Sequence, residues 1–125
     1  EFPAFYSRES GLDVSTKVDT PEDVIEFAKA HWNAGVTSAV LVANPIPKAE
    51  AISKSEMDPL IEIASKEAKE KGIHGKEVTP FLLQRINEMT KGKSMKANLA
   101  LLLNNARLAA HIARAWRTSE RRKVA

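Results

Sequence analysis

The chain has 125 residues, is 43% hydrophobic and 28% charged, and carries a formal charge of +3 with a pI near 9.3. That length and balance suit one globular unit with an ordinary core and exclude a compositionally disordered chain. The absence of cysteine excludes a disulfide framework and thiolate chemistry, and it fits a reducing compartment such as the cytoplasm or an organelle matrix.

The basic excess gathers at the carboxy-terminal end, in Arg114, Arg117, Arg121, Arg122 and Lys123. A nucleic-acid binder usually shows a basic face interleaved with aromatic residues, so this tail reads first as a solvated end and nucleic acid is not the expected partner.

Phe2 to Tyr6 reads as a short apolar, aromatic strand, placed as it would be in the later part of a longer protein, with no signal peptide visible. Ser7 to Val18 is a polar connection containing Gly11. A strong helix start follows. Thr20 suits the N-cap, Pro21 the first helical position, and Glu22 and Asp23 complement the dipole of the first turn. Asp23 three residues after Thr20 is a shortened capping box, and Gly35 ends the segment. His31 on this helix reads as a packed or surface histidine, not a ligand.

Thr37 to Ala43, TSAVLVA, is a continuous apolar run that predicts a central strand covered on both faces. It stops at Asn44-Pro45-Ile46-Pro47, where the prolines end pairing. Ligands of open α/β sheets gather beyond the carboxyl ends of strands, so Asn44 is a candidate binding residue, with plain turn formation as the simpler role.

Ser55 to Lys71 predicts a second helix with a solvated charged stripe, closed by Gly72. Thr79-Pro80 opens a third, closed by Gly92; Thr79 reads as a cap, or as part of an anion site at the helix N-terminus beside Lys76. Ser94 then caps a long helix, SMKANLALLLNNARLAAHIARAW, that predicts burial on more than one side. Asn98 and Asn105 lie two turns apart on one face of it. A buried primary amide without partners costs on the order of 1–3 kcal/mol, so each must bond backbone, another element or a ligand. The longest apolar stretch, residues 98–113, is broken by Asn104, Asn105, Arg107 and His111, which makes it a core helix and not a membrane span. The three histidines have no zinc spacing, and phosphate-loop and nucleophile-elbow motifs are absent.

The residues FPAFYSRESG (2–11), VDTPEDV (18–24), LVANPIP (41–47), GKEVTPFLLQRI (75–86) and KSMKANLALLLNNARLAAHIA (93–113) together resemble the C-terminal part of the pseudouridine-5′-phosphate glycosidase, or indigoidine synthase A-like, family. Several motifs in register over nearly the whole chain make the resemblance specific. It implies the C-terminal portion of an α/β/α sandwich, with short strands and about four helices, the last one long and buried. Residues 1–113 form the family segment, and 114–125 a helix end and basic tail.

The resemblance also implies reversible cleavage of the C–C glycosidic bond of pseudouridine 5′-phosphate to uracil and ribose 5-phosphate, by a cytoplasmic homotrimer with a divalent metal, commonly manganese. The family's proposed chemistry opens the ribose, joins a lysine to the sugar C1 as an imine, and uses a glutamate for proton transfer. The lysine, the glutamate and the metal-binding aspartate belong to the N-terminal part of the family, so no metal ligand is assigned here and the segment alone is expected to be inert. Asn98, in the K-A-N-L motif, matches a family asparagine at the active site and is the catalytic candidate. Asn105, Asn44 and Thr79 are candidates for substrate binding, and Asn105 could instead be a structural amide bonded to Asn44. The rival readings are a non-catalytic nucleotide-binding module and a nucleic-acid binder acting through the basic tail.

Overall fold

A computed structural model describes residues 1–121. Four helices carry the fold: α1 (Pro21–Asn33), α2 (Lys54–Glu70), α3 (Val78–Met89) and α4 (Lys93–Arg121), with short 3-10 turns at Lys48–Glu50 and Gly75–Glu77. Local chemistry sets the start of α1. The Thr20 hydroxyl accepts from the Asp23 amide at 3.1 Å, and the Asp23 carboxylate accepts from the Thr20 amide at 2.9 Å, so two otherwise orphaned N–H groups are satisfied reciprocally. Those contacts hold the Asp23 carboxyl below its ordinary range.

The expected α/β/α sandwich is corrected on two points. Among the described residues there is no strand, so this segment is helical and contains no sheet. Phe2–Tyr6 makes isolated bonds only, Phe2 N–H to Leu12 O at 2.7 Å and Ile52 N–H to Tyr6 O at 2.8 Å. Thr37–Ala43 carries no regular structure, and no backbone–backbone bond ties it to another segment among the described residues. A strand exists only by pairing its N–H and C=O groups in a ladder, and neither run has a partner for one.

The second correction concerns α4. It is long, at 29 residues, but it is not buried. Among its described side chains only Ser94, Ala97, Leu101 and Ala115 are buried, while Leu99, Leu102 and Leu103 are exposed. Its neighbours α1, α3 and the Lys48–Glu50 turn cover one side. Its start also differs from expectation. Ser94 is buried inside the first turn, and the Thr90 hydroxyl accepts from the Ser94 amide at 3.1 Å while donating to Ile86 O at 2.8 Å. Lys91 and Gly92, both left-handed at φ +51° and +90°, turn the chain between α3 and α4.

The main core is built where α2, α3 and the first half of α4 meet the loops. Tyr6, Ile46, Ile52, Met57, Ala64, Ile86, Ala97 and Leu101 form one cluster, with Leu60, Leu82, Leu83 and Met89 packed against it. Burial raises the Tyr6 phenol above its ordinary pKa, partly offset by the neighbouring Ser94 hydroxyl. On the rim of this core Arg85 clamps Glu67 with two nitrogens at 2.8 and 3.0 Å, joining α2 to α3. A second centre lies between α1 and the far half of α4. There Val24, Ile25 and Ala28 face an apolar groove of about 170 Å³ that Val40, Val42, Ile112 and the edge-on pair Trp32 and Trp116 complete.

Candidate functional site

The asparagine helix meets the Asn44 turn directly. Asn44 Nδ2 donates to Asn105 Oδ1 at 3.0 Å, and Asn104 Nδ2 donates to Pro45 O at 3.1 Å. Pro45 and Pro47 keep the chain extended, and it runs back along α4 toward the helix N-terminus. Ile46 joins Ala97 and Leu101 in the core, and Glu50 pairs with Lys96 at 3.0 Å. From the opposite side Arg8 Nη1 donates to Ile46 O at 2.5 Å. The segment from Asn44 to Glu50 is therefore pinned at both ends and in the middle.

Asn98 lies between those two anchoring points, two turns from Asn105, a rise of about 10 Å along the helix. It is half-buried, and among the described residues no group hydrogen-bonds its amide. The contrast with its neighbours is chemical: Asn44 and Asn105 satisfy each other, and Asn104 is spent on Pro45, whereas Asn98 retains two donors and an acceptor free for a ligand. Sequence reasoning paired Asn98 with Asn105 by spacing and missed Asn104. The signal was available in the adjacent asparagines facing an Asn-Pro turn, because one helix position later points to a different partner.

Thr79 is not brought into this group. It sits exposed at the second position of α3, behind an N-cap residue, Glu77, that makes no side-chain cap bond. It hydrogen-bonds none of the three asparagines. The preceding 3-10 turn, which contains Lys76, runs straight into α3, so the helix start expected at Thr79 lies earlier and its capping role is lost. His31 is a packed histidine, with Nε2 3.1 Å from Ser38 Oγ and its ring stacked on Phe27. The groove beside Trp32 is lined by apolar side chains and excludes Asn98 from its walls, so it offers nothing to orient a phosphate or a nucleobase edge. Among the described residues no three His, Cys, Asp or Glu side chains gather as a metal would require. No described helix is long and apolar enough to cross a membrane. The helix expected to run through Trp116 continues to Arg121, and the basic residues Arg122 and Lys123 lie outside the described residues.

A helical segment that offers a free amide beside a proline-stiffened loop does not by itself define a reaction, and the class of protein it belongs to follows from comparison. The chain belongs to the indigoidine synthase A-like family, whose profile matches residues 1–115. Pseudouridine-5′-phosphate glycosidases are among its relatives: that of Petrotoga mobilis is 49% identical over 91% of this chain, and that of Lysinibacillus sphaericus 50% identical over 93%. The chain spans only 37–38% of the length of those relatives. Two solved structures share the fold. An indigoidine synthase A-like protein from Thermotoga maritima, 40% identical, aligns with a TM-score of 0.79 over 90% of this chain and 37% of its own. The prealnumycin C-glycosynthase AlnA, in complex with ribulose 5-phosphate, is 28% identical and aligns with a TM-score of 0.81 over 95% of this chain and 39% of its own.

Proposed function

We propose that this chain is part of a glycosidase that reversibly cleaves the C–C glycosidic bond of pseudouridine 5′-phosphate, giving uracil and ribose 5-phosphate. The observation that carries the reading is identity of about half to glycosidases of that name across nine-tenths of the chain. AlnA supports the bond type and the substrate class, since its name is that of a C-glycosynthase and it binds a sugar phosphate.

The difficulty of the reaction lies in the leaving group. Uracil departs through carbon, so its C5 must gain a proton and the sugar C1 needs an electron sink. The lysine and glutamate that serve those needs in the family lie outside this stretch, as does the metal, for which manganese is our assignment. The segment alone should therefore be inert, and it works within a cytoplasmic homotrimer. Its own contribution is Asn98. A rigid amide on a helix both donates and accepts, which suits holding a ring-opened sugar hydroxyl or a uracil edge in a reactive orientation. Asn44 and Asn105 support that role by fixing the loop beside the site, and any substrate contact they make must compete with their mutual bond.

The test is a chimera in which residues 1–115 replace the matching stretch of the Petrotoga mobilis enzyme. It should release uracil from pseudouridine 5′-phosphate, and Asn98→Ala should lower kcat by about ten- to a thousand-fold, as for loss of a transition-state hydrogen bond worth up to about 4 kcal/mol. A kcat within about twofold of the chimera would make Asn98 structural. An inactive chimera with native helicity would remove the activity itself.

A further inference from the structure

Three faces divide α4. The inner one carries the buried Ser94, Ala97, Leu101 and Ala115. A polar one carries Lys96, Arg107, His111 and Arg114. The third, about a third of a turn from the inner face at 100° per residue, carries Met95, Leu99, Leu102, Ala106, Ala109 and Ala113. All six are exposed, the three largest at 55%, 57% and 58%. Their spacing alternates four and three residues, the seam by which one helix packs against another, and the alanines at the far end would allow close approach. No charged residue interrupts 97–106, so covering this part of the stripe would desolvate no ion.

We infer that this stripe is the docking surface for the portion of the family polypeptide that lies outside the stretch matched here. The inference rests on the proposed function only in assigning that portion to the glycosidase. Its physical support is independent. Two solved relatives hold the same fold, at TM-scores of 0.79 and 0.81, inside chains of which this segment accounts for 37–39%. The greater part of each such chain lies outside a segment of this shape, and a bare apolar stripe on its longest helix is a surface that so much further polypeptide could bury. Asn98 lies on the border between the stripe and the inner face, so a polypeptide seated on Met95, Leu99 and Leu102 would form the opposite wall of a pocket containing its free amide. The stripe thus joins the two halves of the site as well as the two parts of the fold.

The experiment co-expresses this full chain, carrying an affinity tag, with the Petrotoga mobilis enzyme from which the matching stretch has been deleted. Recovery of both in equal amounts is expected. The double variant Leu99→Glu with Leu102→Glu should reduce the recovered partner by about tenfold or more, as for a charge forced into the centre of an apolar interface. Its far-UV circular dichroism should match the parent, because both side chains are exposed. Arg107→Glu, on the polar face, should leave recovery unchanged. Recovery of this chain alone, as monomer or as self-associated copies, overturns the inference, as does equal recovery by the double variant. Uracil release is read separately: a stoichiometric complex without turnover keeps the docking surface and removes the proposed activity.

Discussion

The two packing centres of this chain are made from similar residues and reach different degrees of closure. In the main core Ile46, Ile52 and Met57 are 1–2% exposed, because three helices and two loop segments surround them. Between α1 and the far half of α4, Trp32 remains 45% exposed and Trp116 37%, with an apolar groove open beside them. The difference is one of layers. A helix pair can bury only the stripe between its members, whereas a third element closes the space above it. What holds α1 in place is accordingly more polar: its capping box, and Lys29, which reaches across to α4 at Ser119 Oγ (2.8 Å) and Glu120 (2.6 Å) and lies 4.8 Å from the centre of a Trp116 ring.

Substituting into each centre should expose that difference. Met57→Ala leaves a cavity in the closed core and should cost about 2–5 kcal/mol. Trp32→Ala removes a larger side chain but one already half in water, and should cost under about 2 kcal/mol on the area it loses. Urea unfolding measures both. Equal losses would mean that the open centre is as well packed as the closed one. The two tryptophans of the chain both lie in the open centre, so their fluorescence reports it alone, while far-UV circular dichroism reports all four helices. In the parent the fluorescence transition should come at lower urea than the helical one; coincident transitions would show a single cooperative unit.

A smaller effect is expected where the two centres are tied together. Asn104 and Asn105 hold the turn that links the irregular 37–43 run to the core. Each of Asn44→Ala and Asn105→Ala should destabilise by about 0.5–1.5 kcal/mol, and the double variant by little more than one of them, because either removes the same bond. Asn104→Ala should add to both, since its partner is a backbone carbonyl that the others do not touch. Additive losses from Asn44 and Asn105 would deny that they are partners.

The parts of this fold that were legible in the sequence are those set by neighbours in the chain. The Thr20–Asp23 cap, the glycines that end α1, α2 and α3, and the presence of a long final helix follow from spacing and turn chemistry. The strands were not legible, because TSAVLVA and FPAFY have strand composition yet a strand depends on a backbone partner that composition does not supply. The same reasoning accounts for the site. That Asn105 and Asn44 could bond was readable from an Asn-Pro turn facing an amide-bearing helix. That Asn104 holds Pro45, and that Thr79 stands apart, depends on how the 44–50 segment runs along α4, which only the tertiary structure reveals.

Acid should separate the two centres with the least disturbance. Two carboxyls are held below their ordinary range, one beside each centre: Glu67, chiefly by its hydrogen bonds from the Arg85 guanidinium, and Asp23, chiefly by the Thr20 cap. A carboxyl with a depressed folded pKa favours the folded state while it is ionised. Its contribution is complete above the ordinary carboxylate range of roughly pH 4 to 4.5, and it is lost as pH falls through that range to the lower folded value. Stability should therefore fall below about pH 4.5 for both reasons at once. Glu67→Gln should flatten the acid limb of the helical transition and leave the tryptophan signal's pH dependence in place. Asp23→Asn should do the reverse, since it loosens the start of α1 alone. Both groups are half-buried and still reached by solvent, so the shifts should shrink in high salt for the Glu67–Arg85 pair more than for the cap, whose partners are neutral N–H and hydroxyl groups. Melting midpoints between pH 3 and pH 7, read by both signals at low and high salt, would decide it. If either variant moved both signals equally, the closed and open centres would be one cooperative structure, and the looseness of the Trp32 groove would be a property of its surface alone.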